Sequence, residues 1–466
     1  MQPFFRAPPF PGAKAPALAR PGHGERLDDA TLDRLMARTA QLKVGGSFWD
    51  ADRDPWRSGA DGETAEDRLA AAIAAGDRDA FHRAVVDPFA YFHPFTGQAS
   101  SLAATIELCG FWRALIVNNR RITAAVGFAR WKRPTVAPLL WSGQPVRFAR
   151  LADDLGSDGR VAVWKSRTPK AALARLEAAG TTFLEVEDGF IRSAGLGADC
   201  VPPLSIVVDE TGIYFDPRQT SDLERILQAG EFDDAILERA RRLREVIVAS
   251  GISKYATAAQ PAQRRRGPKR QILVPGQVED DRSVLSGGGN VRTNLELLRR
   301  VRERAPDAHI LYKPHPDVEA GHRKGAISDE VVLTLADEVV RDLAVSGLLA
   351  AVDEVHVNTS LAGFEALLRE KPVTTYGVPF FAGWGLTTDL GQVPERRTAK
   401  LTLDELVAGA LLLYPRYLDP TTGLPCPPEI LIHRLSEGGN ASGNGALVTL
   451  RRLQGQLKRV ALALRA

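Results

Sequence analysis

Apolar and polar positions along this 466-residue chain follow two regimes, and the change falls near residue 128. From Asp28 to about Asn119 the apolar positions recur at helical spacing in short pieces. One is alanine-rich over 66–75 and another apolar over 102–117, with glycine and proline breaking the pattern. This predicts an N-terminal extension over 1–119 that is helical after a Pro-, Ala- and Gly-rich start, residues 1 to about 25, expected to be poorly ordered. After Phe128-Ala129-Arg130-Trp131-Lys132-Arg133 short β-like runs alternate with helical ones. The pattern predicts a strand at 161–163, a helix at 169–179 and a strand at 183–186. Further β pieces follow at 204–208 and 213–215 around the turn signal Glu210-Thr211-Gly212, then helices from 221 to 248. A basic, Pro- and Gln-rich stretch over 260–269 reads as a linker. Beyond it, strands at 272–274, His309–Lys313, 355–357 and 373–376 alternate with helices at Asn294–Arg304 and 361–369. Two consecutive blocks of this kind imply an α/β fold with two Rossmann-like domains, 120–262 and 270–430, facing a cleft. Right-handed crossovers put the loops of each on one sheet edge. Residues 431–466 read as a helical tail.

Composition narrows the function more by exclusion. A content of 44% hydrophobic and 25% charged residues is that of an ordinary globular protein. With 60 basic and 57 acidic residues the formal charge is +3, too balanced to point to nucleic acid. Cys109, Cys200 and Cys426 lack metal-ligand spacing and are odd in number, which favours a reducing cytoplasm and offers no zinc site. The start lacks the apolar run of a signal peptide, and no stretch of eighteen apolar residues occurs, so neither export nor a membrane span is expected. One echo stands out. Tyr91-Phe92-His93-Pro94-Phe95-Thr96-Gly97 resembles Tyr417-Leu418-Asp419-Pro420-Thr421-Thr422-Gly423, each with a helix-like tail; it reads either as a coincidental turn or as the end of an earlier copy of one module.

Candidate chemistry gathers at strand ends. Lys313-Pro314-His315-Pro316 ends a predicted strand, where open α/β sheets bind ligands, and a cation beside an imidazole suits a phosphate. Asn358-Thr359-Ser360 precedes a helix whose start offers free N–H donors to an anion. Gly363 in that helix permits close approach to the sheet or a ligand. Glu187-Asp188-Gly189-Phe190-Ile191-Arg192-Ser193 and Glu279-Asp280-Asp281-Arg282-Ser283 are acidic turns after two other strands. Carboxylates meeting across a cleft would suit glycosyl chemistry, although each is also an ordinary solvated turn. The loop from Gly377 to Gly385 either walls a ligand pocket or packs an interface, and Arg396-Arg397 either faces an acidic substrate or is solvated. His322 and His356 are expected to be structural. The basic amphipathic run 451–462 either touches an anionic membrane surface or docks on the core.

These residues together resemble the KpsC-type β-Kdo glycosyltransferases of capsule polysaccharide synthesis. The resemblance is carried from Gly127 to Pro428 by Phe128 to Pro134, the Glu187 to Ser193 turn, Pro202-Pro203-Leu204-Ser205, Gly212-Ile213-Tyr214 and Ser253-Lys254-Tyr255. It continues through Gln277 with Asp281, Lys313 to Asp317, Ser360 to Leu367, Gly383-Trp384-Gly385-Leu386-Thr387 and Leu403 to Leu406. It implies a GT-B-like architecture, with 120–262 on the acceptor side and 270–430 on the CMP-sugar side. It also implies CMP-Kdo as donor, no metal or cofactor, retention of the β configuration, and a Kdo-primed lipid or oligosaccharide acceptor. On this chain it implies Asp281 as nucleophile, Glu187 or Asp188 as acid/base, and Lys313, His315, Thr359, Ser360 and Gln277 around the donor. Arg192 is added from chemistry as a partner for the sugar carboxylate. A cytoplasmic protein peripheral to the inner membrane is expected. Residues 1–118 contain neither Lys-Pro-His-Pro nor Glu-Asp-Gly, so one linkage type is expected. Rival expectations are a GT-B enzyme using another nucleotide sugar, or a non-catalytic scaffold of glycolipid assembly.

Overall fold

The computed structural model describes residues 2–14, 16–57, 64–150, 160–193, 201–253, 262 and 268–437. The run 451–462 and most of 260–269 lie outside them. Two compact units divide the chain. The first is Met1–Val163 with Thr168–Phe183 and Tyr417–Cys426; the second is Trp164–Arg167, Leu184–Arg416 and Pro427–Ala466.

In the first unit the helices Asp29–Leu42, Ala65–Ala74 and Leu102–Asn119 are opened by Asp28, Thr64 and Ser101, whose side chains accept from backbone N–H groups. The segment is not wholly helical, however. Ala19–Pro21, Phe89–Phe92 and Ala99–Ser100 form a three-stranded antiparallel sheet. The start of the chain, expected to be loose, buries Phe4, Phe5 and Phe10, with the Phe10 ring 4.8 Å from that of Trp141. Each such burial contributes about 1.5–3 kcal/mol, which offsets part of the entropy lost in ordering the run.

The echo noted in the sequence is a repeated shape. Tyr91 pairs with Ser100 and Phe92 with Ala99; Tyr417 pairs with Cys426 and Leu418 with Pro425. Gly97 N donates to His93 O and Gly423 N to Asp419 O, both at 2.8 Å, and the two glycines have φ of 72° and 71°, where a side chain would be strained. Helices follow at Leu102–Asn119 and Pro428–Ser436. Matching register and turn argue against coincidence. The first helix also reaches the second hairpin, since Trp112 Nε1 donates to Pro425 O at 2.8 Å.

The second unit contains a six-stranded parallel sheet in the spatial order Glu338–Val339, His309–Lys313, Gln271–Pro275, Glu354–Val357, Val373–Thr375, Thr388–Asp389. Numbered within this sheet the order is 3-2-1-4-5-6, that of doubly wound nucleotide-binding folds. The switch point falls between Gln271–Pro275 and Glu354–Val357. Burial on both faces explains the continuous apolar runs: Ile272, Val274 and Ile310 pack with Leu298 and Val301 of the helix Asn294–Arg304.

The earlier α/β block is mixed. Ile122–Val126 and Arg160–Val163 pair in parallel, but Thr182–Asp188 and Ser205–Asp209 are antiparallel. Residues 213–215, expected as a β piece, form a turn instead. The buried Asp209 carboxylate explains it, accepting from the N–H groups of Thr211 (3.0 Å), Gly212 (2.9 Å) and Asp222 (3.0 Å) and from Tyr414 OH (2.7 Å). Burial, aided by the nearby Asp222, pushes this carboxyl above the usual range.

Candidate active site

Two residues beyond the strands that flank the switch point lie Gln277 and Thr359, and these side chains clasp each other. Gln277 Nε2 donates to Thr359 Oγ1 and Thr359 N donates to Gln277 Oε1, both at 2.9 Å. Both residues are buried. Asn294, at the start of the helix Asn294–Arg304, holds the Gln277 backbone from both sides, accepting from its N–H and donating to its carbonyl at 2.8 Å. The helix Arg282–Gly287 is capped by Asp281, whose Oδ1 accepts from Ser283 N at 2.9 Å and Ser283 Oγ at 2.7 Å. Thr359 Oγ1 lies 3.5 Å from Ser283 Oγ. A polar chain thus runs from Gln277 through Thr359 and Ser283 to Asp281. The other Asp281 oxygen, Oδ2, has no hydrogen-bond partner among the described residues, and the side chain is half-buried.

At the end of His309–Lys313, Lys313 is buried, donates to Arg341 O at 2.8 Å and stands 3.5 Å from Glu319. His315 Nδ1 accepts from Asp317 N at 3.1 Å, which places the proton of the neutral ring on Nε2. Its own turn therefore orients it, as the flanking prolines led one to expect. The helix after Thr359 differs from expectation. It runs only from Ala362 to Leu368, without a side-chain cap at Leu361, because the Thr359 hydroxyl is taken by Gln277; Ser360 Oγ accepts from Ala362 N at 3.3 Å.

The Glu187 turn splits its acids. Asp188 pairs with Arg192 at 2.8 Å, and Arg192 is 1% exposed, its other nitrogens donating to Ser193 Oγ (2.7 Å) and Val201 O (2.8 Å). The role expected of Arg192 at a sugar carboxylate does not fit a guanidinium so enclosed. It braces Asp188 and the loop instead. Gly189 is required here because a Cβ would lie 2.3 Å from Ser205 Oγ. Glu187 shares a strand face with Glu185, two residues earlier. Glu185 bonds Arg282, the neighbour of Asp281, at 2.6 Å, so the Glu187 face is the one turned toward the Asp281 helix.

The Gly377 to Gly385 loop packs. Phe380 stacks on Phe190 at 4.5 Å, and the fully buried Trp384 donates to Phe380 O at 2.8 Å. Arg396 and Arg397 both grip the buried Glu224. His356 is buried between Tyr376 OH (3.0 Å) and Glu354, as a structural histidine should be. No described helix is long and apolar enough to cross a membrane. Sequence reasoning missed Asn294, Ser283 and the bond between Glu185 and Arg282. Ser283 alone had a visible signal, since Asp-x-Ser is a local capping pattern; the other partners lie 17 and 97 residues apart.

Comparison with known proteins covers this same ground. The family model described as capsule polysaccharide biosynthesis protein matches residues 160–417, which include every candidate above. The capsule polysaccharide modification protein LipA of Neisseria meningitidis is 42% identical over 341 residues, 71% of this chain and 48% of LipA. The lipopolysaccharide-processing protein LpsZ of Rhizobium meliloti is 48% identical over 255 residues, 54% of this chain and 58% of LpsZ. The chain thus spans about half the length of the curated relatives it matches. Among solved structures, the Thermosulfurimonas dismutans KpsC β-Kdo 2,7 transferase is 38% identical with a TM-score of 0.56, aligned over 68% of this chain and 98% of that one. The KpsC β-Kdo 2,4 transferase of the same organism is 32% identical with a TM-score of 0.58, over 67% and 98%. With the family model spanning more than half of the residues and LipA alike over more than two thirds of them, this chain belongs to the capsule polysaccharide biosynthesis protein family.

Proposed function

We propose that this chain is a retaining β-Kdo glycosyltransferase of GT-B-like architecture. It moves Kdo, an eight-carbon 2-keto-3-deoxy sugar acid, from CMP-Kdo to a Kdo-bearing acceptor of a capsule or surface-polysaccharide linker. The observation that carries the reading is the state of Asp281: one oxygen is fixed by Ser283, the other lacks a partner among the described residues, and the residue sits beside a doubly wound switch point. Likeness to two β-Kdo transferases at 38% and 32% identity supports the choice of sugar.

In this scheme Asp281 Oδ2 forms a bond to the anomeric carbon as the carbon–oxygen bond to phosphate breaks, and CMP departs with the electron pair. The acceptor hydroxyl then displaces Asp281, its proton passing to Glu187, and two inversions restore the β configuration. Glu187 is preferred over Asp188 because Arg192 holds Asp188 as an ion pair. His315 donates through Nε2 to the departing phosphate, and Lys313 adds positive charge at the same strand end. Gln277 and Thr359 keep the two loops together, and Ser360 completes the donor side. The scheme uses no metal or cofactor. The enzyme works in the cytoplasm as a peripheral protein of the inner membrane, where a lipid-linked acceptor is presented.

A donor panel on a Kdo-terminated acceptor tests this, with the product anomer read by NMR. Transfer from CMP-Kdo to a β-linked product is expected. Transfer from a UDP-sugar and none from CMP-Kdo would replace the donor assignment.

A further inference from the structure

The enclosure of Arg192 leaves the carboxylate of the donor sugar without a partner, and a different cation pair includes the residue next to Asp281. Glu185, two residues before Glu187, is 4% exposed and takes one cation on each oxygen: Arg282 Nη1 at 2.6 Å and Lys165 Nζ at 2.8 Å. The Arg282 guanidinium also rests 4.8 Å from the Phe215 ring. Glu185 sets one negative charge against two positive ones, so these three side chains sum to one net positive charge. Neither cation is enclosed, with side chains 32% and 29% exposed. Arg282 Nε and Nη2 and the remaining Lys165 protons have no hydrogen-bond partner among the described residues.

Arg282 is also the residue after Asp281. In a 2-keto sugar acid the anomeric carbon carries its own carboxylate, so attack by Asp281 brings two anions onto one carbon. Unscreened repulsion at about 4 Å with an effective dielectric near 20 slows such a step on the order of a thousandfold. A fixed cation beside the nucleophile removes that obstacle, and a neutral hexose has no use for it.

We propose that Arg282 and Lys165, aligned by the buried Glu185, bind the carboxylate on the anomeric carbon of the donor and select keto-sugar acids over neutral sugars. This rests on the Kdo-transfer reading above. Glu185 acts as a positioning residue; the two cations touch the substrate.

The test compares kcat/KM for CMP-Kdo and for its C1-carboxamide analogue in the full chain and in Arg282→Gln and Lys165→Gln, with CMP affinity measured by calorimetry. The expected result is a loss of at least about tenfold on CMP-Kdo in each variant, from the charged hydrogen bonds removed. Loss on the amide should be much smaller, and CMP affinity should stay within about twofold. Equal losses on both donors, or an unchanged preference for the carboxylate, overturn the pocket and leave the three charges a structural brace. If Arg282→Gln fails to fold, Lys165→Gln, which keeps Glu185 paired, decides the matter alone. Absence of any transfer from CMP-Kdo by the unsubstituted chain defeats the functional reading itself, and the pocket falls with it.

Discussion

Gln277→Leu removes both hydrogen bonds of the clasp that joins the strand ends at the switch point, at nearly constant volume. The Thr359 N–H loses its acceptor while remaining buried, which costs about 1–3 kcal/mol, and its hydroxyl loses a donor, for about 0.5–1.5 kcal/mol more. The 3.5 Å approach to Ser283 is too long to replace them. The sum is about 1.5–4.5 kcal/mol. It should appear in urea unfolding as a lower midpoint with an unchanged slope. Thr359→Val alone removes only the hydroxyl half. In a double-mutant cycle the two substitutions should therefore cost less together than the sum of each, with a coupling of about 1 kcal/mol or more. CMP affinity should fall in both variants, since the clasp sets the spacing of the loops after the two strands. Additivity within about 0.5 kcal/mol, or a Gln277→Leu protein as stable as its parent, would refute the argument.

Glu224→Gln strands the buried Arg397 guanidinium, which burial already pulls below its usual pKa and Glu224 supports, and should cost about 3–5 kcal/mol in denaturant unfolding. Arg396→Gln, at a partner 36% exposed, should cost about 1 kcal/mol or less, so similar losses in the two variants would contradict the reading. Asp337 accepts from Ile310 N at 2.9 Å and Arg302 at 2.6 Å; partial burial raises its pKa, but these bonds outweigh it and the net shift is downward. A depressed carboxylate contributes stability above its unfolded pKa and loses it as pH falls through the lower folded value. Asp337→Asn should therefore flatten the acid limb of the stability profile below about pH 4, and an unchanged acid slope would argue against it.

Much of the six-stranded parallel sheet was legible because parallel strands buried on both faces leave continuous apolar runs. Asn294–Arg304 and His309–Lys313 lie where the periodicity puts them. The 213–215 piece misled because its apolar residues, Ile213 and Phe215, are buried from a turn that Asp209 holds, and a local pattern cannot show a cap set by Tyr414, 205 residues away. The N-terminal sheet was missed for a related reason: strands of two to four residues are too short for alternation to register. Within the site, the types of Asp281, His315 and Gln277 announced chemistry. Which cations stand open was not readable, since Arg192 and Arg282 differ only in the partners that folding brings to them.

The central claim is that Asp281 forms a covalent bond to the donor sugar. Intact-protein and peptide mass spectrometry after incubation with CMP-Kdo, without acceptor, tests it most directly. The account predicts a Kdo-sized increase that maps to Asp281, is discharged by acceptor, and is absent from Asp281→Ala, which should also lose transfer. An adduct on another residue, or full transfer by Asp281→Ala, would contradict it.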